Sequence, residues 1–504
     1  MCAETIDKSI HTQKFQVSIP NQFEIEVKDM VSKFKTSLMI NFFTPALIGI
    51  AHGATINASS CAQSAVQTAI NSASNGDTVM VPAGSCSWSS VSIPNTKKIV
   101  LQGTGKASSI ITGMPNIGSS GSRISGFTFL NSTTEIYGYG FRFDNNKVQN
   151  STWTDCIKVR DFAPTITQMP YGLIDHNEFI NCRVNMEGTP YIFSDDGGAN
   201  QNRLWRLPLD FGGPNTVYIE DNTFSLTYSG NFNAIDANYG GSFVARYNTL
   251  YDGLFMETHS SQEGGNRSGK SFEVYGNLID LRNNYSQSGS MSERWRGGTG
   301  LHFYNSYVGN WGNPGIPLDN VRSYAVASSG GGLCNGSSAW DGNQNSFGWP
   351  CRDQIGRGPD NSQWKLSPVG AYTQPTVPSY FWANKNGTKD WAPYVISWSS
   401  NHIQANRDYY AYTSSFDGNT GIGCGTLANR PTTCKVGVAY WATNQSCFNL
   451  SGMVGASHTD VITGTLYRCS ATNTWAVHYQ PYNYPHPLTQ GGLTGSRPVP
   501  VVLY

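Results

Sequence analysis

The sequence predicts an all-β solenoid of stacked coils, and three observations carry that expectation. First, one short phrase recurs between residues 143 and 307: an apolar or aromatic residue, two variable residues, Asn, one variable residue, and a second apolar or aromatic residue. It places Asn146, Asn177, Asn222, Asn248, Asn277 and Asn305 at steps of 26 to 31 residues, with one step of 45 that reads as a coil carrying an inserted loop. Repeats of that length built from strands and turns stack side by side, each covering the apolar face its neighbour cannot bury alone. Second, 54 Gly and 24 Pro punctuate the chain, which suits many short strands joined by turns. Third, charged residues make up only 13%, about half the usual share of a globular domain. Lys plus Arg equals Asp plus Glu at 33 each, so no overall basic field exists to attract nucleic acid or anionic lipid.

Taken in chain order, Lys33 and Lys35 precede an apolar run from Leu38 to Ile50, with Ala51 and Gly53 before a cleavage point. That is the arrangement of a secretory signal, with Met30 as an alternative start, and it assigns residues 1–54 to an upstream extension plus leader. A single membrane anchor is the alternative, but the run is shorter than the ~20 residues a spanning helix needs, and no later segment is long and apolar enough. Ten cysteines follow Cys2; an even number in an exported chain implies disulfides, with pairing between neighbours such as Cys61 and Cys86 expected. Ala62, Ala65, Val66, Ala69 and Ile70 recur at helical spacing and predict a helix that closes the first coil. Coils then run to about residue 325. Residues 326–429 are rich in Gly, Ser, Asn and Trp without a clear coil phase, and 430–504 form a small β module. Its Tyr440, Trp441, Tyr467, Trp475, Tyr479, Tyr482 and Tyr484 either stack on sugar rings or build the module's own core.

The opening "CAQSAVQTAINSASNGDTVMVPAGSC", the following "KIVLQGTG" and "SIITG", and the Asn-bearing coils resemble the pectate-lyase-like superfamily. The resemblance covers roughly residues 61 to 325, and it implies a right-handed parallel β-helix over 55–429. It also implies a protein that meets polysaccharide, because the superfamily spans polysaccharide lyases, glycoside hydrolases, tailspikes and non-catalytic surface proteins. "LIDHNEF" is similar to a phrase near the pectate lyase active site, but the basic residues of that family are not recognisable beside it, so no catalytic residue is carried over.

Alternate side chains of a strand face opposite ways, so the repeat sets a phase. Residues three and five before each Asn are mostly apolar and belong inside. Residues two before it (Asp144, Asp175, Glu220, Arg246, Tyr275, Phe303) and four before it (Arg142, Leu173, Tyr218, Val244, Glu273, Leu301) must face outward. Neighbouring rungs lie about 4.8 Å apart, where two carboxylates repel by roughly 3 kcal/mol at an effective dielectric of 20. Solvent screening reduces this at Asp144, Asp175 and Glu220, and a cation such as calcium, an arginine or a shared proton relieves it more; the column reads either as a solvated polar face or as a calcium or substrate site. On a second wall, after the Asn turn, Glu187, Asp236 and Glu257 fall into one column with His259 two residues on.

The densest run of reactive side chains follows: Glu257, His259, Arg267, Lys270, Glu273, Tyr275, Arg294, Arg296 and His302. In a chain so poor in charge, that concentration marks the candidate site. His302 occupies an inward slot and reads as a core histidine. Eliminative cleavage of a uronate polymer needs a cation for the sugar carboxylate, a base for the neighbouring proton and an acid for the leaving oxygen. Arg267, Arg294 or Arg296 would supply the first, His259 or a lysine the second, and Tyr275 the third, with Glu187, Asp236, Arg246, Lys270 and Glu273 contacting substrate. Hydrolysis would instead pair Glu257 with Asp236 or Glu273. The sequence thus leads to a secreted or cell-surface polysaccharide lyase, with a glycoside hydrolase and a non-catalytic adhesin or tailspike-like binder as the alternatives.

Overall fold

The computed structural model describes residues 53–118, 121–160, 168–188, 204–227, 232–259, 267–282, 291–320, 353–359, 374–400, 402–447, 450 and 461–490. The chain circulates repeatedly through large parallel sheets in a solenoid-like all-β arrangement. One sheet has twelve strands, including Tyr139–Asp144, Tyr171–Asp175, Val217–Glu220, Ser242–Arg246, Ser271–Tyr275 and Thr299–Phe303; we call it the first ladder. A nineteen-stranded sheet holds two more ladders, joined because Lys147–Arg160 and Glu178–Gly188 run through both. The second ladder contains Thr223–Ser225, Thr249–Tyr251 and Leu278–Asp280; the third contains Asn233–Ala237, Leu254–Thr258 and Arg294–Trp295. Phe141, Phe143, Ile174, Val217, Ile219, Phe243, Phe272 and Val274 are all buried in one apolar core, as the phase requires. The helix Gln63–Ser72 buries Val66, Ala69 and Ile70 against the start of that core.

The repeated Asn explains the phase. The residue before it turns into the left-handed region at every rung, as at His176 (φ 56°), Asp221 (57°), Tyr247 (56°) and Tyr304 (53°), and the Asn side chain then bridges neighbouring coils. Asn222 Oδ1 accepts from the Asn177 backbone N–H at 3.0 Å, while its Nδ2 donates to the carbonyls of Ile174 (2.8 Å) and Glu220 (3.0 Å) and to Asn248 Oδ1 (3.0 Å). The same pattern links Asn248, Asn277 and Asn305 and ends on Asn384. Replacing Asn222 by alanine orphans buried groups on both neighbouring rungs, each costing about 1–3 kcal/mol when unsatisfied. The expected result is a lower urea midpoint with an unchanged m-value.

Asn384 marks coils in the later part of the expected 55–429 region, where the sequence showed no clear coil phase. Ser379–Trp382 pairs in parallel with Leu301–Phe303, and Tyr409–Ala411 pairs with Ser379–Phe381, so coils resume well beyond residue 325. Long chain between Asn305 and Asn384 hides the next copy of the phrase. The terminal four-stranded sheet begins at Ile422–Gly425, ahead of the expected boundary at 430, and continues through Ala439–Ala442, Thr465–Ala471 and Thr474–Tyr479. Cysteines pair as Cys61–Cys86, Cys156–Cys182, Cys424–Cys447 and Cys434–Cys469. Four such pairs point to an oxidising, extracytoplasmic setting. Cys334, Cys351 and the expected leader lie outside the described residues.

The terminal sheet covers the first ladder. Leu173, Tyr218, Val244, Tyr275, Leu301 and Phe303 face outward from the coils and form a second apolar cluster with Val438, Trp441, Leu466 and Tyr479. This face was expected to meet solvent; it is an interior. Burial pushes the Glu273 carboxyl up to about 7, against opposing hydrogen bonds from the Gly212 N–H and the Tyr479 hydroxyl, both at 2.7 Å. A folded value above the unfolded one means the native state holds a proton that the unfolded chain has released between about pH 4.5 and 7. Stability therefore falls as pH rises through that window. Glu273→Gln is expected to flatten this slope, read as the difference in urea midpoint between pH 5 and pH 8.

Candidate functional site

The outward face of the third ladder carries a continuous polar network, and strand alternation puts it there. In Glu178–Gly188, Val184 and Met186 point into the core while Arg183, Asn185 and Glu187 point out; in Leu254–Thr258, Met256 is inside and Glu257 outside. Register sets Asn185 beside Asp236, Asp236 beside Glu257, and Glu257 beside Arg294. The expected column is thus right for Asp236 and Glu257 and shifted by two residues for Glu187. Glu187 sits one outward position along the strand and accepts from Asn185 Nδ2 at 3.2 Å.

Asp236 is fully buried beneath this face. Its Oδ2 meets His259 Nε2 at 3.0 Å and Arg183 Nη1 at 2.7 Å, while its Oδ1 has no hydrogen-bond partner among the described residues. His259 itself is 30% exposed. With Nε2–H donating to Asp236, Nδ1 is left as the basic nitrogen. Arg183 also bonds Asp155 and lies 4.6 Å above the Trp153 ring. Burial opposes the Arg183 charge, but Asp236 and Asp155 outweigh it and hold the guanidinium above its ordinary value. On the neighbouring rungs Glu257 is bonded by Arg296 and approached by Arg294 at 3.7 Å, and Arg294 reaches Asp319 at 3.6 Å. Burial pulls Arg296 below its ordinary value, with Glu257 resisting. At the other end Arg160 joins Glu135 to Glu187, and Lys158 lies 3.5 Å from Glu187.

Six of the expected residues meet here: Glu187, Asp236, Glu257, His259, Arg294 and Arg296. The others do not, because a coil carries its sequence around several walls. Arg267 is sealed inside, its Nε and Nη2 on Asp353 at 2.7 and 2.6 Å and its guanidinium over Trp205. Lys270 is buried with Nζ on the carbonyls of Leu204 and Leu207, both at 3.0 Å, and burial lowers it to about 7. Tyr275, Arg246 and Glu273 lie beneath the terminal sheet. Of the carboxylate ladder, Asp144 is bonded by Arg123 (2.6 Å), Asp175 by Arg142 (2.8 Å) and Glu220 by Arg246 (2.6 Å), so guanidinium relieves the repulsion at each rung. Among the described residues no group of three or more His, Cys, Asp or Glu could hold a metal ion. His302 is a core residue between Glu293 and Asn384.

Sequence reasoning missed Arg183, Asp155, Asn185, Lys158 and Arg160. For four of them the signal was present: "IKVR" and "RVNME" alternate apolar and polar residues, and counting parity within these strands finds them; Asp155 is out of phase because the register shifts between Asp155 and Ile157. No helix among the described residues is long and apolar enough to cross a membrane. No family model, curated protein or solved structure matches the chain.

Proposed function

We propose that the chain is an exported right-handed parallel β-helix protein of the pectate-lyase-like kind that cleaves a uronate-containing polysaccharide by β-elimination on the third-ladder face. The observation that carries this reading is the part-exposed His259 held through Nε2 by buried Asp236, with Arg294 and Arg296 close by along the same ladder. In the proposed step His259 Nδ1 takes the proton beside the sugar carboxylate, the ring carbon–oxygen bond to the departing sugar breaks, and a carbon–carbon double bond forms. The departing oxygen takes its proton from solvent. Arg294 and Arg296 neutralise the carboxylate as charge moves onto it, and Asp236 fixes the imidazole tautomer and stabilises the imidazolium.

The directly paired Asp236 and Glu257 favour a second reading, hydrolysis, since neighbouring rungs about 4.8 Å apart approach the 5–5.5 Å of a retaining carboxylate pair. Against it, both acids already serve guanidinium partners, Arg183 and Arg296, and one of the pair would have to deliver a proton. Purified protein screened on uronate and neutral polysaccharides separates the readings. New ultraviolet absorbance with new reducing ends is elimination; reducing ends alone are hydrolysis. Glycan binding without new ends overturns both in favour of an adhesin or tailspike-like binder.

A further inference from the structure

A cavity in the terminal region, away from the charged wall, has a lining of different chemistry. The cleft holds about 610 Å³ and is walled on one side by Val461–Thr465 and on the other by Gln480–Pro485, with Pro487 and Gln490 at its end. That volume lies within the 300–1,000 Å³ usual for ligand sites. Among the described residues no Asp, Glu, Lys, Arg or His lines it. Its aromatic groups are the part-exposed Tyr482 and Tyr484, and its polar groups are the side chains of Thr463, Thr465, Gln480, Asn483 and Gln490.

The tyrosines are fixed from behind by the coils. The Tyr484 hydroxyl donates to Asp221 at 2.9 Å, its ring packs 4.0 Å from that of Tyr247, and the Tyr482 ring packs 5.4 Å from that of Tyr218. Arg246 ties down the intervening backbone through the carbonyls of Tyr482 and Asn483, both at 2.8 Å. Rings held this way lose little freedom when a ligand stacks on them, which is the advantage of a preorganised site. The side-chain amides of Asn483 and Gln490 make no hydrogen bond among the described residues, and both residues are exposed.

We propose that this cleft binds an uncharged glycan, with sugar faces against Tyr482 and Tyr484 and hydroxyls bonded by Asn483, Gln480 and Gln490. Rigid aromatic faces combined with neutral hydrogen-bonding groups match a ligand that is apolar on its ring faces, hydroxylated at its rim and without charge. The inference does not depend on catalysis at the third ladder.

Calorimetric titration of the full chain with cellohexaose, xylohexaose, mannohexaose and a charged control, hexagalacturonate, tests it. At least one neutral hexasaccharide is expected to bind, with an affinity unchanged between about 0.05 and 0.5 M NaCl, over which the screening length shrinks roughly threefold. Asn483→Ala should weaken that binding at least about fivefold and Tyr482→Ala at least about tenfold, with far-ultraviolet circular dichroism unchanged. If Tyr482→Ala disturbs the fold, Asn483→Ala alone decides. His259→Ala should leave it unaltered, whatever it does to uronate cleavage. No binding of any neutral hexasaccharide at about 10 mM, binding insensitive to Asn483→Ala, or binding lost with His259→Ala overturns the proposal.

Discussion

Replacing His259 by alanine is expected to lower turnover of the uronate polymer at least about a hundredfold, the lower range for a positioned base. Thermal unfolding should move little, because the imidazole is part-exposed and, among the described residues, its side chain bonds Asp236 alone. Asp236→Asn provides the sharper comparison. It preserves volume but removes the anion that orients Nε2, so kcat should fall with KM nearly unchanged if Asp236 acts through His259. It should also loosen Arg183, which shares the same oxygen, and some loss of stability is therefore expected with this variant and not with His259→Ala. Hydrolysis reverses the order: Glu257→Gln would abolish activity and His259→Ala would be mild. Wild-type turnover in both His259→Ala and Glu257→Gln, on a substrate the wild type cleaves, removes the third-ladder face as the active site.

The second large effect concerns stability. Arg246 is fully buried; it bonds Glu220 through Nε at 2.7 Å and Nη2 at 2.6 Å, meets the Tyr275 hydroxyl at 2.9 Å and lies 4.6 Å from the Tyr218 ring. It also holds the carbonyls of Tyr482 and Asn483. Arg246→Ala strands the Glu220 carboxylate in the interior, and breaking a buried pair from one side costs about 3–5 kcal/mol. The urea midpoint should fall by a corresponding amount, and proteolytic cleavage should rise first near residues 480–490, whose backbone loses its anchor. Arg246→Lys should rescue only part of the loss, since an ammonium cannot reproduce the forked contact. Unchanged stability in Arg246→Ala would show that residues 480–490 are not held by this pair. Arg267→Ala belongs to the same class because its partner Asp353 is equally buried; it is a test of folding and not of substrate binding.

The inward positions of the first ladder were legible because Asn fixes the phase in the six coils from Asn146 to Asn305, and Ile174, Ile219 and Phe243 follow from counting alone. What covers the opposite face was harder to read. Leu173, Tyr218, Val244 and Leu301 are too apolar for a wall in water, and that column was the available sign that another part of the chain lies on it. The third ladder was only partly legible: Asp236 and Glu257 align, but the chain between residues 188 and 233 breaks the count and puts Asn185 where Glu187 was expected. The charged run from Glu257 to Arg296 looked like one site because its members are close in sequence. A coil distributes such a run over several walls, and the partners that decide each role, Asp353 for Arg267 and Tyr479 for Glu273, lie 86 and 206 residues away.

At the end of the second ladder, Lys385–Asn386 pairs in parallel with Ser306–Tyr307 on one side and antiparallel with Lys389–Asp390 on the other. A parallel stack can in principle accept another strand, from its own chain or a second molecule, whenever its last rung is bare. Here the last rung folds back on itself, and the returning strand is short, exposed and charged, with Lys385 bonded to Asp390. Copies of this protein meeting end to end along that ladder find a blunt, solvated hairpin in place of an open template. Removing the hairpin would expose unpaired backbone at a β edge and favour filaments over discrete molecules.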